Sequence, residues 1–162
     1  MKKIILVAVW LLTVQYTFPQ KWEHTIGQAN LDENSRRVIE HYDKGYLITA
    51  TYTAGYNDVH GWLLKTDING NPLWNVTLGI DPDQVIIEKT VYDDQGNIYV
   101  FGSILREIDI DSPLVLKLNA CGELEWCRIF AFPEYDYGYY TDGILLDNGD
   151  LLALASMPNA NQ

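Results

Sequence analysis

Two cysteines, three histidines and an excess of carboxylates are the side chains of this sequence that could do chemistry. Cys121 and Cys127 are the only cysteines. The spacing matches no zinc pattern, and no second Cys or His pair completes a set of four ligands. In an exported chain an even cysteine count points to a disulfide. Cys121 and Cys127 are therefore a candidate staple near one hairpin, provided their Cα atoms come within about 7 Å. Asp67, Asn69 and Asn71 set oxygen side chains at alternate positions around Gly70, as the start of a calcium loop does. The later ligands of such a loop, ending in a bidentate Glu, do not follow. Asn-Gly is also a strong hairpin signal, so a turn is the expectation. His24, His41 and His60 fall singly, and no serine sits in a Gly-x-Ser-x-Gly elbow. No catalytic residues, metal ligands or cofactor are expected.

The carboxylates carry information by their number. Lys and Arg total 11 against 22 Asp and Glu, a formal net charge of −11. Nucleic acid and anionic membrane surfaces demand clustered basic residues, so neither is an expected partner. Residues 1–20 stand apart from the fold. Lys2 and Lys3 precede an apolar run from Ile4 to Val14, and a more polar stretch leads to Gln20. That is the pattern of a secretory signal peptide, and the run is short of the ~20 residues of a transmembrane helix. The mature chain, residues 21–162, is expected to be secreted or at the cell surface, with no integral membrane segment.

The elements that must position these residues are read from a repeat. Trp22, Trp74 and Trp126 recur at a constant spacing of 52 positions, and Gly70 and Gly122 share that spacing. Counted from the tryptophans, the units are 22–73, 74–125 and a shortened 126–162. Within the second, short β-branched and aromatic runs at 73–78, 84–92, 98–103 and 114–118 alternate with Gly, Asn and Asp turns. The same grammar fills the other units, and Gly45, Gly96 and Gly149 mark the middle hairpin each time. Four short strands per unit, joined by tight turns, is a β-meander. The expected fold class is all-β: a β-propeller-like arc of four-stranded antiparallel blades, about two and two-thirds of them, forming an incomplete ring. A flat indole in each unit can pack against the neighbouring blade. A sandwich or barrel has no comparable use for three tryptophans in register. The expectation is the N-terminal part of a longer protein, or a truncated gene product.

In such a meander the tight hairpins alternate with longer connections, and strand direction sends the longer ones to one rim. The candidate binding residues there are Tyr56, Asp58, Asp81, Asp83, Asp109, Asp111, Tyr135, Asp136 and Tyr137. Loops on a rigid scaffold are where binding residues concentrate. An acidic rim bearing tyrosines suits a cation-assisted, basic-peptide or glycan partner.

Asp67, Gly70 and Trp74 resemble the docking motif of quinoprotein-like propellers, with one residue fewer between Asp and Gly; the next copy has Asn119, Gly122 and Trp126. The run from Leu118 to Cys127 is similar to a variant in propeller repeats of secreted proteins of the Bacteroidetes type. The resemblance implies a C-terminal sorting domain for type IX secretion in the full-length protein, which this sequence lacks. It implies a scaffold, and a scaffold does not set function. The expected function is non-catalytic interaction or adhesion, with a protein or glycan as partner. The alternative is part of a propeller enzyme, quinoprotein-like or hydrolytic, whose catalytic residues lie in further blades.

Overall fold

A computed structural model describes residues 23–27, 29–55, 58–79, 83–105, 111–130 and 138–157. Among the described residues the secondary structure is ten β-strands with no helix. They are β1 (Asp32–Glu40), β2 (Tyr46–Thr53), β3 (Val59–Thr66), β4 (Pro72–Leu78), β5 (Gln84–Tyr92), β6 (Ile98–Leu105), β7 (Asp111–Leu118), β8 (Leu124–Ile129), β9 (Tyr139–Leu145) and β10 (Leu151–Ser156). The strands expected within 37–118 and 144–155 are present, several of them longer, whereas the strand expected to open the first unit after Trp22 is not, since residues 23–27 belong to no strand. No helix among the described residues is long and apolar enough to cross a membrane.

Three antiparallel sheets result. The first is β1-β2-β3-β4, the second β5-β6-β7-β8, and the third pairs β9 with β10. Trp74 lies opposite Lys65 in the first sheet and Trp126 opposite Lys117 in the second, so the two indoles occupy equivalent positions. The phase of the repeat differs from a count that starts at tryptophan. The tryptophan strands β4 and β8 close their sheets rather than open the next. The physical reason is the tight turn before each: it leaves the chain no path except back along the strand it has just left. The sheets therefore change between β4 and β5, after Gly79, and again between β8 and β9.

Five turns share one geometry. In each, the first residue's N–H donates to the carbonyl of the fifth, and the fourth residue's N–H donates to the carbonyl of the first. They begin at His41, Asp67, Asp93, Asn119 and Leu146, 26 or 27 positions apart, half the tryptophan spacing. The fourth residue must take positive φ, a type I turn closed by a left-handed residue. Gly70 (φ 80), Gly96 (82), Gly122 (83) and Gly149 (86) do so, and in the first turn Lys44 (69) does. Gly45 therefore follows the turn's left-handed residue. Its own reason to be glycine is space: a Cβ there would fall within 3 Å of the Thr66 carbonyl oxygen and of Lys65 Nζ.

Strand alternation directs each sheet's two faces to different neighbours. Leu47, Leu63 and Leu78 of the first sheet meet Ile98, Val100, Leu114, Leu116 and Leu118 of the second in the main core. The second sheet's other face, with Phe101 and Val115, packs against Leu151, Ala153 and Ala155 of the third. Leu63 and Val115, 52 positions apart, both face the following sheet. Gly143 of the third sheet makes room for Phe101, because any Cβ there would lie only 2.6 Å from the Phe101 ring. Ala50, Trp62 and Leu64 form a smaller core on the first sheet's outer face, with Ile26 against them.

Candidate functional site

At one end of the stacked sheets lie the five tight turns. At the other lie the strand ends that the connections β2–β3, β4–β5, β6–β7 and β8–β9 join. Each end has its own chemistry.

Three of the turns hold their leading Asp or Asn side chain within themselves. Asp67 Oδ1 accepts from the N–H groups of Asn69 and Asn71, at 2.8 and 2.9 Å, and Oδ2 accepts from the Asn71 side-chain amide at 2.8 Å. Asp93 repeats this with Gln95 and Asn97 and takes a further bond from the Tyr99 hydroxyl, 3.2 Å. In the fourth turn the roles exchange. Asn119 Oδ1 accepts from the N–H of Cys121 and Glu123, and its amide donates to the Glu123 carboxylate at 2.7 Å. Both Asp67 carboxylate oxygens, which looked like the start of a calcium loop, are thus engaged by their own turn, and no His, Cys, Asp or Glu cluster of metal-binding form occurs among the described residues.

Trp74 joins two sheets through one of these turns. Its indole N–H donates to the Ala120 carbonyl at 3.2 Å, and a Cβ on Gly122 would sit 3.0 Å from the ring. Tyr42 does the same at the inner hairpin, its ring lying over Gly96 closer than any side chain there would permit. Trp126 instead packs on the second core with Tyr99, centroids 6.3 Å apart, and Arg128 lies over its ring at 5.5 Å. Trp22 lies outside the described residues.

Behind Tyr42 is a buried charge cluster. Lys65 is 2% exposed, and its ammonium donates to both Asp43 carboxylate oxygens at 2.8 Å and to the Thr66 carbonyl at 2.9 Å. Burial opposes the Asp43 carboxylate, but the Lys65 hydrogen bond, the Gly45 N–H and the ammonium charge outweigh it and hold its carboxyl below the ordinary 3.8. His41 is 1% exposed, between the rings of Tyr42 (4.8 Å) and Tyr92 (4.7 Å). Its Nδ1 is 3.6 Å from Asp43, beyond hydrogen-bond length. Burial, followed by the Lys65 ammonium, pushes its pKa below 6.5 despite Asp43.

A folded state that resists protonating His41 binds fewer protons than the unfolded chain, so stability falls as pH drops through 6.5 toward the lower folded value. The slope contributed by His41 is at most about 1.4 kcal/mol per pH unit. His41→Phe keeps a ring between the tyrosines and removes the titration. Urea unfolding at pH 7.5 and 5.5 should show a smaller acid loss in the variant. An equal loss would place the titrating group elsewhere.

At the opposite end, His60 ties two connections together. Its Nδ1 is 3.2 Å from the Gly79 carbonyl and its Nε2 is 2.7 Å from Asp58. Val59 N–H donates to Gln84 Oε1 at 3.3 Å, across the same gap. Asp58 and Asp83 of the expected rim are thus at this end, and Asp111 begins β7 there. Tyr56, Asp81, Asp109, Tyr135, Asp136 and Tyr137 lie outside the described residues.

Cys121 and Cys127 are exposed thiols, not joined by a disulfide. Cys121 is in the turn, whereas Cys127 faces Leu116 well along β8. Three residues beyond the Leu124 end of β8 is about 10 Å of strand, longer than a disulfide spans.

What sequence reasoning missed is the cluster of His41, Asp43 and Lys65. Lys65 and Lys117 share the repeat spacing, but only Lys65 is buried, and its partner comes from a turn 22 residues earlier. Compared with known protein families and with curated proteins, the chain has no match.

Proposed function

We propose that this chain is an exported, non-catalytic scaffold of the β-propeller type whose rim of longer connections binds a protein or glycan. The observation that carries the reading is topological. Antiparallel strands following one another in order through the sheets give one end only tight turns and put the strand ends that the other connections join at the opposite end. Longer connections at one end of a rigid stack are an arrangement suited to recognition.

The constant sense of stacking supports the propeller form. Leu152 and Leu154 correspond, 53 positions on, to Tyr99 and Phe101 of the second sheet. Phe101 is fully covered by the third sheet, while Leu152 and Leu154 are 58% and 64% exposed. That face is suited to a further sheet of the same kind, as expected if these sheets belong to a larger ring.

The test is to probe a glycan array and a panel of extracellular proteins with the purified chain, alongside the Tyr56→Ala, Asp81→Asn double variant. A specific signal that the variant reduces by about tenfold or more is expected if the rim carries a binding hot spot. Absence of any signal, or one that the variant leaves unchanged, would sink the rim reading.

A further inference from the structure

The two joints between sheets are built from equivalent turns but are filled differently. At the first joint Tyr42, second residue of its turn, covers Gly96 of the next sheet's turn, and His41 packs on Tyr92. At the second joint the equivalent residues, 52 positions on, are Asp94 and Asp93. The glycine they face, Gly149, has no atom within 4 Å of where a Cβ would be. A cleft of about 530 Å³ opens there, lined by Val91, Asp93, Asp94, Leu146, Asp147 and Gly149 among others.

We propose that this cleft binds an arginine side chain of a basic partner polypeptide. The first joint shows what the space takes: a flat group laid on the turn glycine. At the second joint one wall carries Asp94 and the other Asp147, both exposed, while Asp93 is already engaged by its own turn. A flat group that is also cationic matches both features. Guanidinium is planar and carries five donors in a rigid fork, enough to address carboxylates on two walls. Its aliphatic stem has Leu146 and Ile144, 40% and 45% exposed, to lie against. A bare metal ion fits less well, because no three acidic, His or Cys side chains converge as a metal site among the described residues. The net charge of −11 draws a basic segment toward the chain. The cleft is at the turn end, away from the rim, so the two readings stand or fall separately.

The test uses the full chain, ¹⁵N-labelled, titrated with a blocked Gly-Arg-Gly peptide and with the same peptide carrying neutral citrulline. The arginine peptide should shift the amide signals of Asp94, Asp147 and Gly149, and the citrulline peptide should not. Asp147→Asn should weaken binding about tenfold by removing one charge-assisted partner. Asp94→Tyr, which copies Tyr42 and plugs the cleft, should abolish it. The proposal is overturned if citrulline binds equally, if the shifts map elsewhere, if Asp147→Asn binds like the parent chain, or if no shift occurs with the arginine peptide. Asp147→Asn leaves the apolar wall intact and decides the matter even if Asp94→Tyr fails to fold.

Discussion

Trp74→Ala should be among the most damaging single substitutions in this chain, costing about 3 kcal/mol. The indole packs against the main core, lies on the backbone of Gly122 and donates to the Ala120 carbonyl. Truncation leaves a hollow between two sheets and strands a carbonyl, and neither sheet can close the gap without moving the turn. Trp74→Phe keeps most of the apolar contact and loses the hydrogen bond, so about 1 kcal/mol is expected. Trp126→Ala should fall below Trp74→Ala, although the two tryptophans hold equivalent positions. Trp126 meets Tyr99 and Arg128 of its own sheet, whereas Trp74 clamps a turn of the next. Guanidinium unfolding of the three variants tests this order. If Trp126→Ala were as damaging as Trp74→Ala, the clamp on the Asn119 turn could not be what makes Trp74 matter. For a domain whose whole stability is of the order of 5–15 kcal/mol, the difference is readily measured.

Asp43→Ala should cost a similar amount, about 3 kcal/mol, because it leaves the Lys65 ammonium buried with only the Thr66 carbonyl to hold it. The cost stays near the low end of what breaking a buried pair entails, since the Asp43 side chain is itself 36% exposed. Lys65→Met should be milder, about 1 kcal/mol, because it removes the buried charge instead of stranding it. Hence the variant that deletes the more exposed partner should be the less stable of the two. Thermal or urea unfolding at pH 7 decides it, and the opposite order would mean that the lysine is stabilised mainly by something other than Asp43. Acid should act in the same direction as Asp43→Ala. The carboxyl is held below its ordinary 3.8, so its contribution is present above that pH and is lost as pH falls through the lower folded value.

Much of the architecture was legible in the sequence because it rests on local, repeated signals. Strand periodicity marks Ile98-Tyr99-Val100-Phe101 and its counterparts. The left-handed glycines at 70, 96, 122 and 149 mark turns, because at that backbone conformation other residues are strained. The turn chemistry was only half legible. Asp67 and Asp93, each followed by Gly and Asn at the third and fourth positions beyond, repeat a recognisable motif. In the first turn a Lys takes the left-handed position and in the fourth an Asn and a Glu exchange roles, so the shared 26-residue spacing was hidden beneath the tryptophan spacing of 52. The phase of the sheets was also missed. A period is unchanged by where counting starts, and only hydrogen bonding across the Asp67 turn shows that Trp74 ends a sheet.

By itself, then, the sequence determined the all-β class, the antiparallel meander, the equivalence of Trp74 and Trp126 and the separation of tight turns from longer connections. Each of these follows from forces acting within a few residues of the chain, or from their repetition. Only the tertiary structure decided which sheet each tryptophan belongs to, that Lys65 is buried against Asp43 while Lys117 is not, that Cys121 and Cys127 stay apart, and that Tyr42 fills one joint while Asp94 leaves its equivalent open. Those outcomes depend on what the neighbouring sheet brings to the same place. Identical positions in a repeat are given different surroundings by packing, and burial, charge pairing and open space are properties of the surroundings rather than of the residue.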